Sequence, residues 1–213
     1  DYRIIVHRMS LSTHNDMKVT LKDKEFYTSE VKNYTYWSGR VYDANGPKQR
    51  QITSVMRMRA LMDFKTKERY AKKLLNDIED KCIVFANTQD QADRMCKDSY
   101  HSNNPDSETN LQDFKVGNIT KLSCVLQLNE GVNIPGLKQG IIMHAYGNER
   151  KAAQRIGRLL RLNPDDKAIV HILCYMDTVD EKWVKEALEG FVLYDFDGNE
   201  IDYKNNIQYY LPR

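Results

Sequence analysis

The sequence has no long apolar run. Its most hydrophobic stretches extend about eight residues, far short of the roughly 20 that cross a bilayer as a helix. No basic segment precedes an apolar one at the start, so no secretory signal is visible. Cysteine is scarce: Cys82, Cys96, Cys124 and Cys174 form no Cys-x-x-Cys pair. That argues against a zinc site and a disulfide framework, and for a reducing compartment. Three of the four lie in or beside apolar strand-like runs, where a free thiol behaves as a small hydrophobe. Net charge is also small. Lys and Arg number 32 against 30 Asp and Glu, a formal +2, so only the distribution of charge can speak for or against a polyanionic partner. His7, His14, His101, His144 and His171 show neither His-x-His nor His-Glu-x-x-His spacing, and no Gly-x-Ser-x-Gly elbow is present. Neither a metal centre nor a hydrolase triad is expected.

What is present is ordinary in bulk. The 213 residues are 41% hydrophobic and 29% charged, the composition of a globular chain and not of a fibrous, collagenous or disordered one. The length suits one large domain, or one domain with an extension, and buries about 70% of the unfolded surface. The chain opens on Asp1, and a piece of a longer protein is expected.

Two parts are expected. Residues 1–50 are polar and aromatic, with an apolar run Ile4–Val6, a cluster of Tyr34, Tyr36 and Trp37, and a loop at Asn45-Gly46-Pro47. Apolar residues at helical spacing then predict a long helix from about Ile52 to Ile78. From Lys81 the pattern alternates. Cys82–Ala86, Leu122–Leu128, Gly140–Ala145 and Ala168–Tyr175 read as buried strands, with helices near Gln89–Ser99, Glu108–Lys115, Arg150–Leu162 and Val179–Leu188. Near-continuous apolar strands between amphipathic helices predict an α/β domain with a mainly parallel sheet. Val192–Tyr203, with Asp197-Gly198 between two alternating runs, predicts a β-hairpin.

The most informative stretch is Glu149–Arg161. On a helix at about 100° per residue, Ala152, Ile156, Leu159 and Leu160 form one apolar stripe. Gln154, Arg158 and Arg161 then fall within about 60° of one another on the opposite face, with Arg155 on its flank. Such a face is often merely solvated. Two features point further: the clustered cations are Arg, whose planar fork suits phosphate, and the helix expected over Arg150–Leu162 contains no Glu or Asp to pair with Arg158 or Arg161. The cluster suits polyphosphate recognition or phosphoryl transfer. The segment Leu128–Gly136 follows a predicted parallel strand, where ligands of open α/β sheets bind. Its Gly131 and Asn133 suit a close ligand, although a plain turn is the readier reading of such a loop. Tyr34, Tyr36 and Trp37 offer rings for stacking on bases, although packing is the readier use of aromatic side chains. Lys65, Lys67, Arg69, Lys72 and Lys73 read by default as a solvated helix face.

Three of these stretches carry a resemblance. Cys82-Ile-Val-Phe-Ala-Asn-Thr, Asn129-Glu-Gly-Val-Asn-Ile-Pro and Gln154-Arg-Ile-Gly-Arg-Leu-Leu-Arg resemble motifs IV, V and VI of superfamily 2 helicases, in the family's order. Residues 150–161 most resemble the XPB/UvsW-like branch of DNA helicases and translocases, and the likeness extends over about Lys67–Trp183. The resemblance implies a RecA-like second motor lobe over residues 51–213, with residues 1–50 an inter-lobe segment packed on it. It implies ATP between two lobes, Arg158 and Arg161 as arginine fingers supported by Gln154, and Gly131, Asn133 and Arg155 at the nucleotide. It also implies Thr88 on the nucleic-acid backbone, DNA as the track with RNA not excluded, and a cytoplasmic protein of a bacterial or phage-infected cell. Asn133 stands where many relatives carry Asp, and Val125 near where they carry Ser or Thr. No Gly-x-x-x-x-Gly-Lys-[Ser/Thr] loop and no Asp-Glu-x-[His/Asp] magnesium motif occurs. Mg2+ is therefore expected mainly from an N-terminal lobe, without which this chain would not turn over ATP. The rival expectation is a non-catalytic nucleic-acid-binding or partner-docking module on the same fold.

Overall fold

The computed structural model describes residues 2–21, 24–125, 134–145, 168–188, 193–194 and 200–201. Two compact units emerge. One comprises Asp1–Met9 with Lys67–Arg213, the other Ser10–Thr66.

The first unit is built on a six-stranded sheet of order β1-β8-β7-β4-β6-β5, all pairings parallel. Its strands are β1 (Tyr2–Met9), β4 (Cys82–Ala86), β5 (Ser99–Tyr100), β6 (Lys121–Val125), β7 (Gln139–Ile142) and β8 (Ala168–Tyr175). β4 is central and buried throughout, as its Cys-Ile-Val-Phe-Ala composition requires of a strand covered on both faces. Alternate residues form the main core on one face. Ile83, Phe85, Leu122, Cys124, Ile142, Val170 and Ile172 pack there with Leu111 and Phe114 of α5 (Ser107–Val116) and Val184 and Ala187 of α6 (Val179–Ala187). The opposite face meets α3 (Lys65–Asp77) and α4 (Gln89–Met95): Tyr70 bonds His7, and Ser123 Oγ donates to the Ala92 carbonyl at 2.7 Å. Helices on both faces of a parallel sheet are the α/β architecture expected.

Local chemistry ends these helices where the sequence signals it. Gly117 closes α5 in the left-handed region at φ 91°, and both it and Asn118 donate backbone N–H to the Asp113 carbonyl. Thr178 caps α6, whose first turn carries Asp180 and Glu181 at the positive end of the helix dipole. A small antiparallel pair, β9 (Leu193–Tyr194) with β10 (Glu200–Ile201), supplies the hairpin expected near the end.

The second unit has an antiparallel hairpin, β2 (Met17–Leu21) with β3 (Lys24–Thr28), and two helices, α1 (Glu30–Tyr42) and α2 (Pro47–Asp63). Ser29 caps α1, and Pro47 opens α2 after Gly46 at φ 95°. The buried Glu30 carboxylate accepts from the Ser12 and Thr66 backbone N–H groups, each at 2.9 Å.

Two expectations change. The long helix over 52–78 is two helices, broken at Phe64, whose extended backbone (φ −65°, ψ 135°) accompanies a buried ring. The division at residue 50 also shifts. Ile4–Val6 lies in an edge strand in parallel register with β8, from Tyr2↔Ala168 to Met9↔Tyr175, so residues 2–9 belong to the sheet. Asn45-Gly46-Pro47 is a turn within the other unit and not its end. A strand pairing more than 150 residues away leaves no local signal.

Candidate functional site

The carboxyl edge of a parallel sheet is where open α/β folds bind ligands. β4 delivers Asn87 and Thr88 to that edge. Thr88 is exposed and caps α4, its Oγ1 accepting from the Gln91 N–H at 3.1 Å. Asn87 is buried. Its backbone N–H donates to Gln91 Oε1 at 2.9 Å, while its side-chain Nδ2 and Oδ1 have no hydrogen-bond partner among the described residues. A buried amide left unsatisfied costs about 1–3 kcal/mol. Gln89, at the start of α4, is bonded to the following loop, with its Nε2 donating to Ser102 Oγ at 3.0 Å and Asn103 Nδ2 donating to its Oε1 at 2.6 Å.

Two polar networks brace the same sheet. In the first, the fully buried Lys67 ammonium donates to Asp180 Oδ2 at 2.6 Å and to His144 Nδ1 at 3.0 Å, and lies 4.8 Å from the centroid of the Tyr175 ring. An ammonium has no acceptor, so His144 must accept at Nδ1 and carry its proton on Nε2. Tyr175 OH accepts from the Lys67 N–H and its own N–H donates to Asp180 Oδ2, both at 2.9 Å. Arg8 and Glu181 add a second buried ion pair. The ends of β1, β7 and β8 and the start of α6 are thereby tied together. The second network is a directed chain. Gln139 Nε2 donates to Asp80 Oδ2, so its Oε1 accepts from His171 Nε2 at 2.9 Å. His171 Nδ1 then accepts from His7 Nε2, also at 2.9 Å, and His7 Nδ1 accepts from Tyr70 OH. Both rings are neutral. Burial, reinforced by its neighbour His171, lowers the His7 pKa to about 3, and burial lowers that of His171 to about 4.

All four cysteines are buried and none forms a disulfide. Burial raises the Cys82 thiol to about 12 and that of Cys96 to about 11, so neither is a nucleophile. Among the described residues no group of three or more His, Cys, Asp or Glu is arranged to hold a metal ion, and no helix is long and apolar enough to cross a membrane.

Residues 65–163 match the helicase conserved C-terminal domain. The matched segment, just under half of the chain, is similar to that domain family. The DNA 3'-5' translocase XPB2 of Sulfurisphaera tokodaii is 29% identical over 100 residues, 44% of this chain and 23% of that protein. The chain thus spans about a quarter of the length of this curated relative. The crystal structure of the Pyrococcus furiosus Hef helicase domain superposes with a TM-score of 0.42 and 19% identity, over 72% of this chain and 37% of that one.

Within the matched segment, Thr88 stands exposed at the carboxyl end of the central strand. Gly131, Asn133, Gln154, Arg155, Arg158 and Arg161 lie outside the described residues. Sequence reasoning missed Asn87, although it adjoins Thr88 in the same motif. It also assigned Lys67 to a solvated face, whereas Lys67 is the buried hub of an ion-pair network. The available signal was periodicity: Lys67, Ala71 and Leu75 fall four apart on one helix face, and all three are buried.

Proposed function

We propose that the chain is the C-terminal motor lobe of an ATP-dependent superfamily 2 DNA helicase or translocase, working in the cytoplasm. The observation that carries the proposal is the helicase C-terminal match over residues 65–163, which spans all three motif-bearing stretches. The residues present fit one half of a nucleotide site. Gln154, Arg155, Arg158 and Arg161 offer donors for phosphate oxygens, while the sequence contains no phosphate loop and no acidic magnesium motif. In this reading an N-terminal lobe holds ATP and Mg2+. Arg158 and Arg161 reach the γ-phosphate, where an arginine finger is worth about 10³ to 10⁵ in rate. Gly131 and Asn133 line the nucleotide edge. ATP, when bound, supplies the phosphoryl group whose transfer is coupled to lobe closure and release.

The track contact in this reading is the Asn87-Thr88 corner. Thr88 donates its exposed hydroxyl to a backbone phosphate while its lone pair keeps the α4 cap, and the unsatisfied Asn87 amide takes a second backbone oxygen. DNA is the track by likeness to the Sulfurisphaera tokodaii translocase, and the same corner would accept RNA phosphates.

One alternative is a binding module in which Arg158 and Arg161, a cluster of arginines suited to any phosphate, hold nucleic-acid phosphates. The salt dependence of DNA binding separates the two. Arg158→Ala leaves the slope of log affinity against log salt unchanged if Arg158 is a finger, and lowers it by about one if Arg158 is a phosphate contact.

A further inference from the structure

Charge is unevenly shared between the two units. Ser10–Thr66 holds ten Lys and Arg against six Asp and Glu, a net +4, which leaves the sheet unit 22 against 24, a net −2. The cations are interleaved with exposed rings. On α1, Lys32, Tyr36 and Arg40 are all exposed at spacings of four, which places them within about 80° on one helix face. Tyr36 is 55% exposed and is braced from behind by the half-buried Trp37, whose ring meets it edge-on at 5.1 Å and 73°. Lys32 Nζ donates to the neutral Asn15 Oδ1 at 3.2 Å, and Arg40 is in no ion pair among the described residues. Tyr42 at the end of α1 is 87% exposed.

From this arrangement we infer that the Ser10–Thr66 unit carries a nucleic-acid-binding face of its own, centred on Tyr36 of α1, that takes a single strand. A base stacks on the Tyr36 ring, and Lys32 and Arg40, one helical turn to either side, neutralise the flanking phosphates. Stacking needs an unpaired base, which selects a single strand over a duplex. Lys32 argues against a protein partner, because protein interfaces are depleted of lysine, whereas Arg and Tyr suit either kind of partner. A ring fixed by Trp37 also loses little freedom on binding. This face lies almost wholly outside residues 65–163 and does not depend on the motor reading.

The test is fluorescence-anisotropy titration of the whole chain with a labelled oligothymidylate, without nucleotide, over a range of salt concentrations. Tyr36→Leu, an exposed and fold-neutral change, is expected to weaken binding about five- to a hundred-fold, the worth of one stacked base, at an unchanged salt slope. Tyr36→Phe is expected to bind as the parent does. The double variant Lys32→Ala/Arg40→Ala is expected to lower the salt slope by about 1.4, or 0.7 for each phosphate on a single strand. A parent that fails to bind the oligonucleotide overturns the inference. So does a Tyr36→Leu variant within twofold of the parent, an outcome that leaves the exposed rings to a protein partner. Loss confined to Thr88→Ala would place the strand on the sheet edge alone and overturn it equally.

Discussion

Lys67→Met removes one charge from a pair that is 0% and 1% exposed at its two side chains. Asp180 would then keep its carboxylate buried with only the Tyr175 N–H bonded to Oδ2, and His144 Nδ1 would lose the ammonium that it accepts from. Breaking a buried ion pair from one side costs about 3–5 kcal/mol. A domain of this size has about 5–15 kcal/mol in all. At a urea m-value of about 2 kcal/mol/M, the midpoint should fall by roughly 1.5–2.5 M. Trp183, in α6 one turn from Asp180, reports on the site by fluorescence, and a Trp37→Phe background removes the other tryptophan. The double variant Lys67→Met/Asp180→Leu leaves no unpaired charge and should recover most of the loss, since apolar replacement of a buried pair is often neutral. A single variant within 1 kcal/mol of the parent would refute the reasoning, as would a double variant no more stable than Lys67→Met alone.

The neutral pair His7 and His171 predicts acid sensitivity with a definite sign. Both folded pKa values lie below the ordinary 6.5, so the unfolded chain binds protons first, and stability falls as pH drops from about 6.5 toward 4 and then 3. The slope is about 1.4 kcal/mol per pH unit for each histidine; urea midpoints at pH 7, 6 and 5 measure it, and His171→Gln should flatten the curve. Gly117→Ala should cost about 1–2 kcal/mol by backbone strain alone, since an added Cβ there meets nothing within 4 Å; an unchanged thermal midpoint would contradict that. Thr88→Ala should cost α4 about 1 kcal/mol, seen as faster amide exchange at Gln91, with Thr88→Ser close to the parent.

Much of the sheet unit was legible because its strands are short, apolar and separated by amphipathic helices. Cys82–Ala86 and Ala168–Tyr175 coincide with β4 and β8, and Val179–Leu188 with α6 to within one residue. What escaped was whatever depends on distant partners. β1 is an edge strand only because β8 exists to pair with it, and an apolar run of three residues cannot announce that. No Pro or Gly marks the break at Phe64; a buried ring accompanies it. Lys67 was misjudged for the same reason: a lysine is solvated by default, and its buried counter-charge lies 113 residues away. At the site, Thr88 was named from its motif and stands on the carboxyl edge, but the unsatisfied amide of Asn87 is visible only once β4 and α4 have closed around it.

The central claim is that this chain is the finger-bearing half of a nucleic-acid motor. It is tested most directly by ATP turnover of the longest natural product that contains this chain, measured with and without DNA beside its Arg161→Ala variant. DNA-stimulated turnover that falls about 10³-fold or more in the variant is the predicted result. Absence of turnover in the parent, with DNA binding intact, would contradict it and leave a binding module.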